Sequence, residues 1–298
     1  MLKITADHLA NPLKSAASVV GIAIVCAAAE ALKMKEADSS VSGVVNVVGA
    51  LCCGAVIMVP AMRIIDSVCS AIDECANFLL SFVPVYVSIM TAGGQVTSAA
   101  AYNTALFSVA QVYSKVASGI IKPLSGIFLA FSTVGAISPQ LGLSNVAGSI
   151  KRSVNWILAF ISTVFAAVLG LQATVTASAD GVAAKAVKFA VSSAVPVVGG
   201  ALSDAMGSAS GYIGLLKSVS GGFGIFVGTA IFLPSIVECA LWSIALSLAA
   251  TAVGMTGAKS ASDTAKAASD VFGILFSLTL CMMLVVVVVI GVTLAIKG

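Results

Sequence analysis

Three carboxylates stand where an ionised side chain is costly: Asp180, Asp204 and Glu238 each sit in a stretch that is otherwise apolar. Two aspartates brought together could divide acid and base roles between them. Nothing in the spacing, however, sets a partner beside Asp180 or Asp204. His8 is the lone histidine. A multi-histidine metal centre is therefore excluded, and a histidine-based triad has no support. The seven cysteines, at 26, 52, 53, 69, 75, 239 and 281, form no C-x-x-C pair and lie mostly in apolar runs, as packing thiols do. No glycine-rich phosphate loop ending in Lys-Ser or Lys-Thr occurs. The sequence assigns no catalytic residue, no cofactor and no metal, and an enzyme is not expected. What remains is the chemistry of polar groups held at membrane depth. Asp204 either lines a polar path or braces a turn. Glu238 is either a coupling carboxylate or an interfacial group. Asp180 caps the helix that begins near Gly181.

The element that must position these groups is residues 179–211. A short helix over 181–195 carries Lys185 and Lys188. Pro196 has no N–H and disfavours helix at Val195. Gly199 and Gly200 then allow a turn. Ser203, Asp204, Ser208 and Ser210 follow the break. A short, broken apolar segment of this kind marks a re-entrant or discontinuous membrane helix, tolerated only where protein or water surrounds it. A weaker copy lies upstream. Phe82-Val83-Pro84-Val85 matches Ala194-Val195-Pro196-Val197, and Gly93 and Gly94 follow at a longer distance. Residues 122–131 and 217–226 share Lys, Ser, Gly and two Phe at aligned positions. The expected organisation is a two-span region with an interfacial helix over 1–76, then two repeats over 77–178 and 179–298. Each repeat is a hairpin followed by two spans.

Composition fixes the class. Of the 298 residues, 59% are hydrophobic and 9% charged, with a mean hydropathy of +1.12. Soluble domains carry about 25% charged residues, so lipid must be the solvent of this chain. Its apolar runs are continuous rather than alternating, which excludes a transmembrane β-barrel and leaves an all-α polytopic membrane protein. The net charge of +3 is too small and too scattered for nucleic acid. Spans are expected over 15–32, 43–62, 122–137 and 154–173, over the long run 221–255 that Pro234 divides, and over 271–296. Residues 63–76 read as an interfacial amphipathic helix or a solvated connector. Residues 139–148 and 256–270 read as polar loops. Lys122 and Lys217 are expected as interfacial anchors at hairpin ends. Gly207/Gly211 and Gly224/Gly228 make two G-x-x-x-G contact faces, suited to packing within one chain or between copies in a homo-oligomer.

At Ala179-Asp180-Gly181, Lys188, Pro196-Val197-Val198-Gly199, Ser203-Asp204-Ala205 and Lys217, the chain resembles the stage III sporulation protein AE family. The likeness extends more loosely through the Phe82-Val83-Pro84 hairpin, Gly93-Gly94 and Ser98, and from Pro12 to the C-terminus. It implies a subunit of a channel-like or secretion-like assembly in the mother-cell membrane around the forespore, with other stage III sporulation membrane proteins as partners. It also implies a need for the protein after engulfment and carries over no catalytic residue. Family members usually place a signal sequence and a polar segment before the first span, whereas this chain begins almost at that span. The alternative is a small-molecule or ion transporter, since repeats with broken helices at membrane depth are also a transporter architecture.

Overall fold

A computed structural model describes the backbone of residues 14, 17–22, 24–25, 39–138, 141–194, 199–255 and 257–295. Within the helices, the side chains of 39–46, 137, 169–210, 292, 293 and 295 lie outside that description. The described residues form helices and short turns, with no strand among them. In chain order these are α1 (Ser39–Ala92), α2 (Val96–Val116), a π-helical turn (Ala117–Ile121), α3 (Lys122–Ile137), α4 (Leu143–Ala194), α5 (Gly199–Met255) and α6 (Lys259–Ala295). Five stretches are long and apolar enough to cross a membrane: Val47–Ala92, Val96–Ala136, Leu143–Val168, Gly211–Met255 and Lys259–Gly291. The all-helical, multi-pass membrane class expected from composition therefore holds. Most of the expected span over 15–32 lies outside the described residues.

The helices run on where the sequence suggested breaks. α1 carries 54 residues without interruption, through the expected span over 43–62, the interfacial segment over 63–76 and the first hairpin limb over 77–90. At about 1.5 Å per residue it extends about 81 Å, far beyond a hydrocarbon core of about 30 Å. Its charged stretch stays helical because polar side chains do not stop a helix; only the backbone does. Here its two aspartates find partners on neighbouring helices. Asp66 pairs with Lys122 at 2.8 Å, and the Ser114 hydroxyl donates to Asp73 at 2.5 Å. Pro84 sits on an exposed side of α1 and breaks nothing. Pro234 likewise lies inside the 57-residue α5, so the run over 221–255 is one helix and not two. The short helix expected over 181–195 continues the span before it, as the last part of α4.

α6 corrects the loop expected over 256–270. It starts at Lys259, immediately after a turn at Gly257 with φ +85°. Ala261, Ala265, Ala267 and Ala268 are strong helix formers, and all four are buried. Lys259 and Asp263, and Lys266 and Asp270, stand four apart, a spacing that supports a helix. The loop expected over 139–148 shortens in the same way, since α4 begins at Leu143 after Gly142 with φ +64°.

The π turn also has a local cause. Pro123 offers no N–H, and its ring would meet the carbonyl four residues earlier in a regular helix. One turn therefore widens ahead of it, and the Lys122 N–H bonds to the Ala117 carbonyl, five residues back. The Cys69 thiol donates weakly to the same carbonyl, at 3.7 Å.

The chain packs as two units. Unit 1 holds residues 1–71, 115–159 and 233–280; unit 2 holds 72–114, 160–232 and 281–298. Unit 1 is centred on Trp242 stacked on Phe272 with ring centroids 5.3 Å apart, and on Ser243 and Ser269, whose hydroxyls each donate to the other's carbonyl. A Cβ added at Gly54 would lie 2.8 Å from Thr133, so small size sets the approach of α1 to α3 there. Unit 2 is centred on a column of aromatic rings. Phe78, Phe82 and Tyr86 stack in sequence along α1 at 5.3 and 5.6 Å, and Tyr86 meets Tyr102 of α2 at 4.9 Å.

Candidate functional site

The polar core of unit 2 begins at the turn between α1 and α2. The Gln95 N–H bonds to the Met90 carbonyl and the Gly94 N–H to the Thr91 carbonyl, both at 3.0 Å. That pair of bonds is a Schellman motif, which needs a left-handed residue at its centre. Gly94 supplies it with φ +79°. The Gln95 carbonyl then accepts from the Ala99 N–H and starts α2. One residue therefore closes one helix and opens the next, which fixes the direction of its side chain. Gly93 completes the turn by letting α5 approach: a Cβ there would stand 3.0 Å from Ile213.

The Gln95 side chain is buried and accepts a hydrogen bond from the Lys217 ammonium at 2.8 Å. Lys217 is only 7% exposed. The expectation that it snorkels as an interfacial anchor is therefore corrected: the ammonium points inward, held by an amide 122 positions away in sequence. Lys122, by contrast, is half-exposed in its pair with Asp66. Below Gln95 on the same face of α2 lie Ser98, Tyr102, Leu106, Val109 and Tyr113, at helical spacing and all buried. Among the described residues the buried Tyr102 hydroxyl has no hydrogen-bond partner. The Tyr113 hydroxyl shares a hydrogen bond with Ser162 at 3.0 Å. Chemically, this core offers a buried primary ammonium, an amide and two phenols. It can fix a charge or orient a polar group at depth. Among the described residues no cluster of three His, Cys, Asp or Glu could hold a metal.

α5 meets this core with small residues at the spacing of one helix face: Gly221, Gly224 and Gly228, below Lys217. A Cβ at Gly221 would stand 2.6 Å from Leu294, at Gly224 2.7 Å from Phe82 and 3.2 Å from Ile290, and at Gly228 3.3 Å from Val286. Gly224 and Gly228 thus face helices of the same chain. A Cβ at Gly211 would meet open space.

The other expected site residues fall as follows. Pro196 lies outside the described residues. Asp180, Gly181 and Lys188 lie on α4, and Gly199, Gly200, Ser203, Asp204 and Gly207 on α5, with their surroundings outside the description. Glu238 is half-buried on α5 in unit 1. Pro84 is exposed on α1, while Gly93 and Gly94 form the turn just described. Sequence reasoning missed Gln95 and Tyr102. The available signal was their spacing with Ser98, three polar groups on one face of an apolar helix.

Residues 1–297 match the family described as Stage III sporulation protein AE. The chain is 24% identical over 157 residues to Stage III sporulation protein AE of Bacillus subtilis (strain 168). That stretch is 53% of this chain, and it spans 39% of the relative's length. No solved structure matches.

Proposed function

We propose, because the chain belongs to the stage III sporulation protein AE family, that it is the multi-pass membrane subunit of a conduit between mother cell and forespore, needed after engulfment. The observation that carries this is the family match along nearly the whole chain, joined to five helices apolar enough to span a membrane. In this proposal the protein resides in the mother-cell membrane surrounding the forespore and assembles there with other stage III sporulation proteins and with its own copies. It holds and orients; it catalyses no reaction. The repeat organisation over 77–178 and 179–298 belongs to the same proposal. Deleting the gene in its spore-forming host is expected to leave growth intact and to abolish heat-resistant spores after engulfment, with the wild-type gene restoring them. A normal spore yield in the deletion strain would overturn the role.

The break expected at Pro196 is proposed to border a water-filled path lined by Ser203, Asp204 and Ser208, with Asp180, Lys188, Gly199 and Gly200 shaping it. Backbone groups freed at a break cannot be satisfied by hydrocarbon, so water or protein must satisfy them. Single cysteines at 203, 204 and 208, in a chain cleared of its native cysteines, are expected to react with a membrane-impermeant thiol reagent. A cysteine at Val288, exposed on the apolar part of α6, is expected not to react. Silence at all three positions in a functional chain would sink the path.

A further inference from the structure

A recess of about 560 Å³ opens in unit 1 between α3, α4 and α6. Phe128, buried to 4% exposure, forms part of its wall. The charged lining comes from Lys151 of α4 and from Lys259, Asp263, Lys266 and Asp270 of α6. The Lys151 ammonium is held by Asp270 at 2.7 Å, so those two charges cancel. Lys259, Asp263 and Lys266 stand four and three apart on α6, a spacing that brings them to one face. Among the described residues none of these three has an ion-pair partner. Three ammonium groups against two carboxylates leave the recess with one positive charge. Hydroxyls of Ser132, Ser144 and Ser260 add neutral donors.

The level of the recess follows from where charge stops along the chain. On α6 no charged residue follows Asp270 until Lys297, and on α4 none lies between Arg152 and Asp180. The charged turns around the recess therefore border the apolar stretches of two spanning helices, which is headgroup level. Lysine binds phosphate as a point charge with mobile donors, and basic pockets between spanning helices suit anionic headgroups. A phosphodiester carries one negative charge, which the recess balances.

We propose that this recess binds the phosphate of an acidic membrane phospholipid. The ester oxygens and glycerol face the serine hydroxyls, and the acyl chains leave along the apolar parts of α4 and α6. The site is separate from the polar core of unit 2 and does not depend on the sporulation role.

The test uses the full chain in phosphatidylcholine nanodiscs, doped stepwise with phosphatidylglycerol, with thermal unfolding and native mass spectrometry as readouts. Phosphatidylglycerol is expected to raise the unfolding midpoint saturably and to remain bound in the spectrometer. In the Lys259→Gln/Lys266→Gln double variant the half-saturating fraction rises about tenfold or more, as loss of two lysines at a headgroup demands. Asp263→Asn moves it the other way, because a repelling carboxylate is removed; misfolding would not produce that gain. Gly148, which lines the recess, supplies an independent arm as Gly148→Leu: a Cβ there meets open space, so the added side chain takes up room in the recess without a clash at its first atom. It is expected to leave the midpoint in pure phosphatidylcholine unchanged and to abolish the shift. Three results would overturn the proposal. Phosphatidylglycerol gives no shift beyond that seen in pure phosphatidylcholine; the lysine and glycine variants bind as wild type does; or inorganic phosphate alone reproduces the saturable shift, which would make the ligand a free anion and not a lipid.

Discussion

Gly224→Leu is expected to lower the thermal unfolding midpoint of the purified protein sharply, with a destabilisation of about 3 kcal/mol. The clash is already present at the first added atom, since a Cβ at Gly224 would lie 2.7 Å from the Phe82 ring and 3.2 Å from Ile290. Phe82 cannot swing away cheaply. Its ring is stacked between Phe78 and Tyr86, at 5.3 and 5.6 Å. Ile290 is fully buried on α6. A leucine must therefore push α5 away from both α1 and α6. The same substitution at Gly211, where a Cβ meets open space, is the control and should change the midpoint little. Equal midpoints for wild type and Gly224→Leu in detergent would show that this close approach does not exist.

The second large effect is expected at Lys217. Lys217→Met keeps the stem of the side chain and removes the donor, so the side-chain amide oxygen of Gln95 loses its 2.8 Å bond. Losing a buried charge-assisted bond costs about 1.5–3 kcal/mol. Lys217→Ala loses the packing of the stem as well and should be worse. The informative experiment is a double-mutant cycle with Gln95→Leu. If the two groups hold each other, the double variant should be more stable than the sum of the single losses, by about 0.5–3 kcal/mol. Strict additivity in unfolding free energy would mean that the contact carries no coupling.

Turns were easier to see in the sequence than helix lengths, for a physical reason. Gly93-Gly94 announces a left-handed residue, and no other side chain serves a Schellman turn as cheaply. The charges at Arg63, Asp66, Asp73 and Glu74 look like a helix leaving the membrane. They do not end α1, because Asp66 and Asp73 reach Lys122 and Ser114 on other segments. Those partners are invisible to local periodicity. The prolines misled in the same sense. A single missing N–H inside a long helix removes one bond, and at Pro84 and Pro234 the surrounding turns carry on regardless. The inward turn of Lys217 was not legible at all, since a lysine at the end of an apolar hairpin looks the same whether it points to water or to an amide 122 positions away. Its neighbours offered a hint. Gly221, Gly224 and Gly228 follow Lys217 at helical spacing, and a face of glycines is one that other helices approach closely.

The π turn at Ala117–Ile121 sets the azimuth of everything after it. A regular helix advances about 100° per residue, so a turn that spends one residue more than usual sets every later residue of α3 back by about 100° around the axis, relative to an unbroken helix. Phe128 and Leu129 are buried at 4% and 3% exposure, while Ile127 and Val134 are exposed at 43% and 42%. That division between inner and outer sides depends on the extra residue. A substitution within the turn changes one side chain, but a deletion of one codon re-aims the whole of α3. At this point in the chain, a change of length moves more atoms than a change of residue.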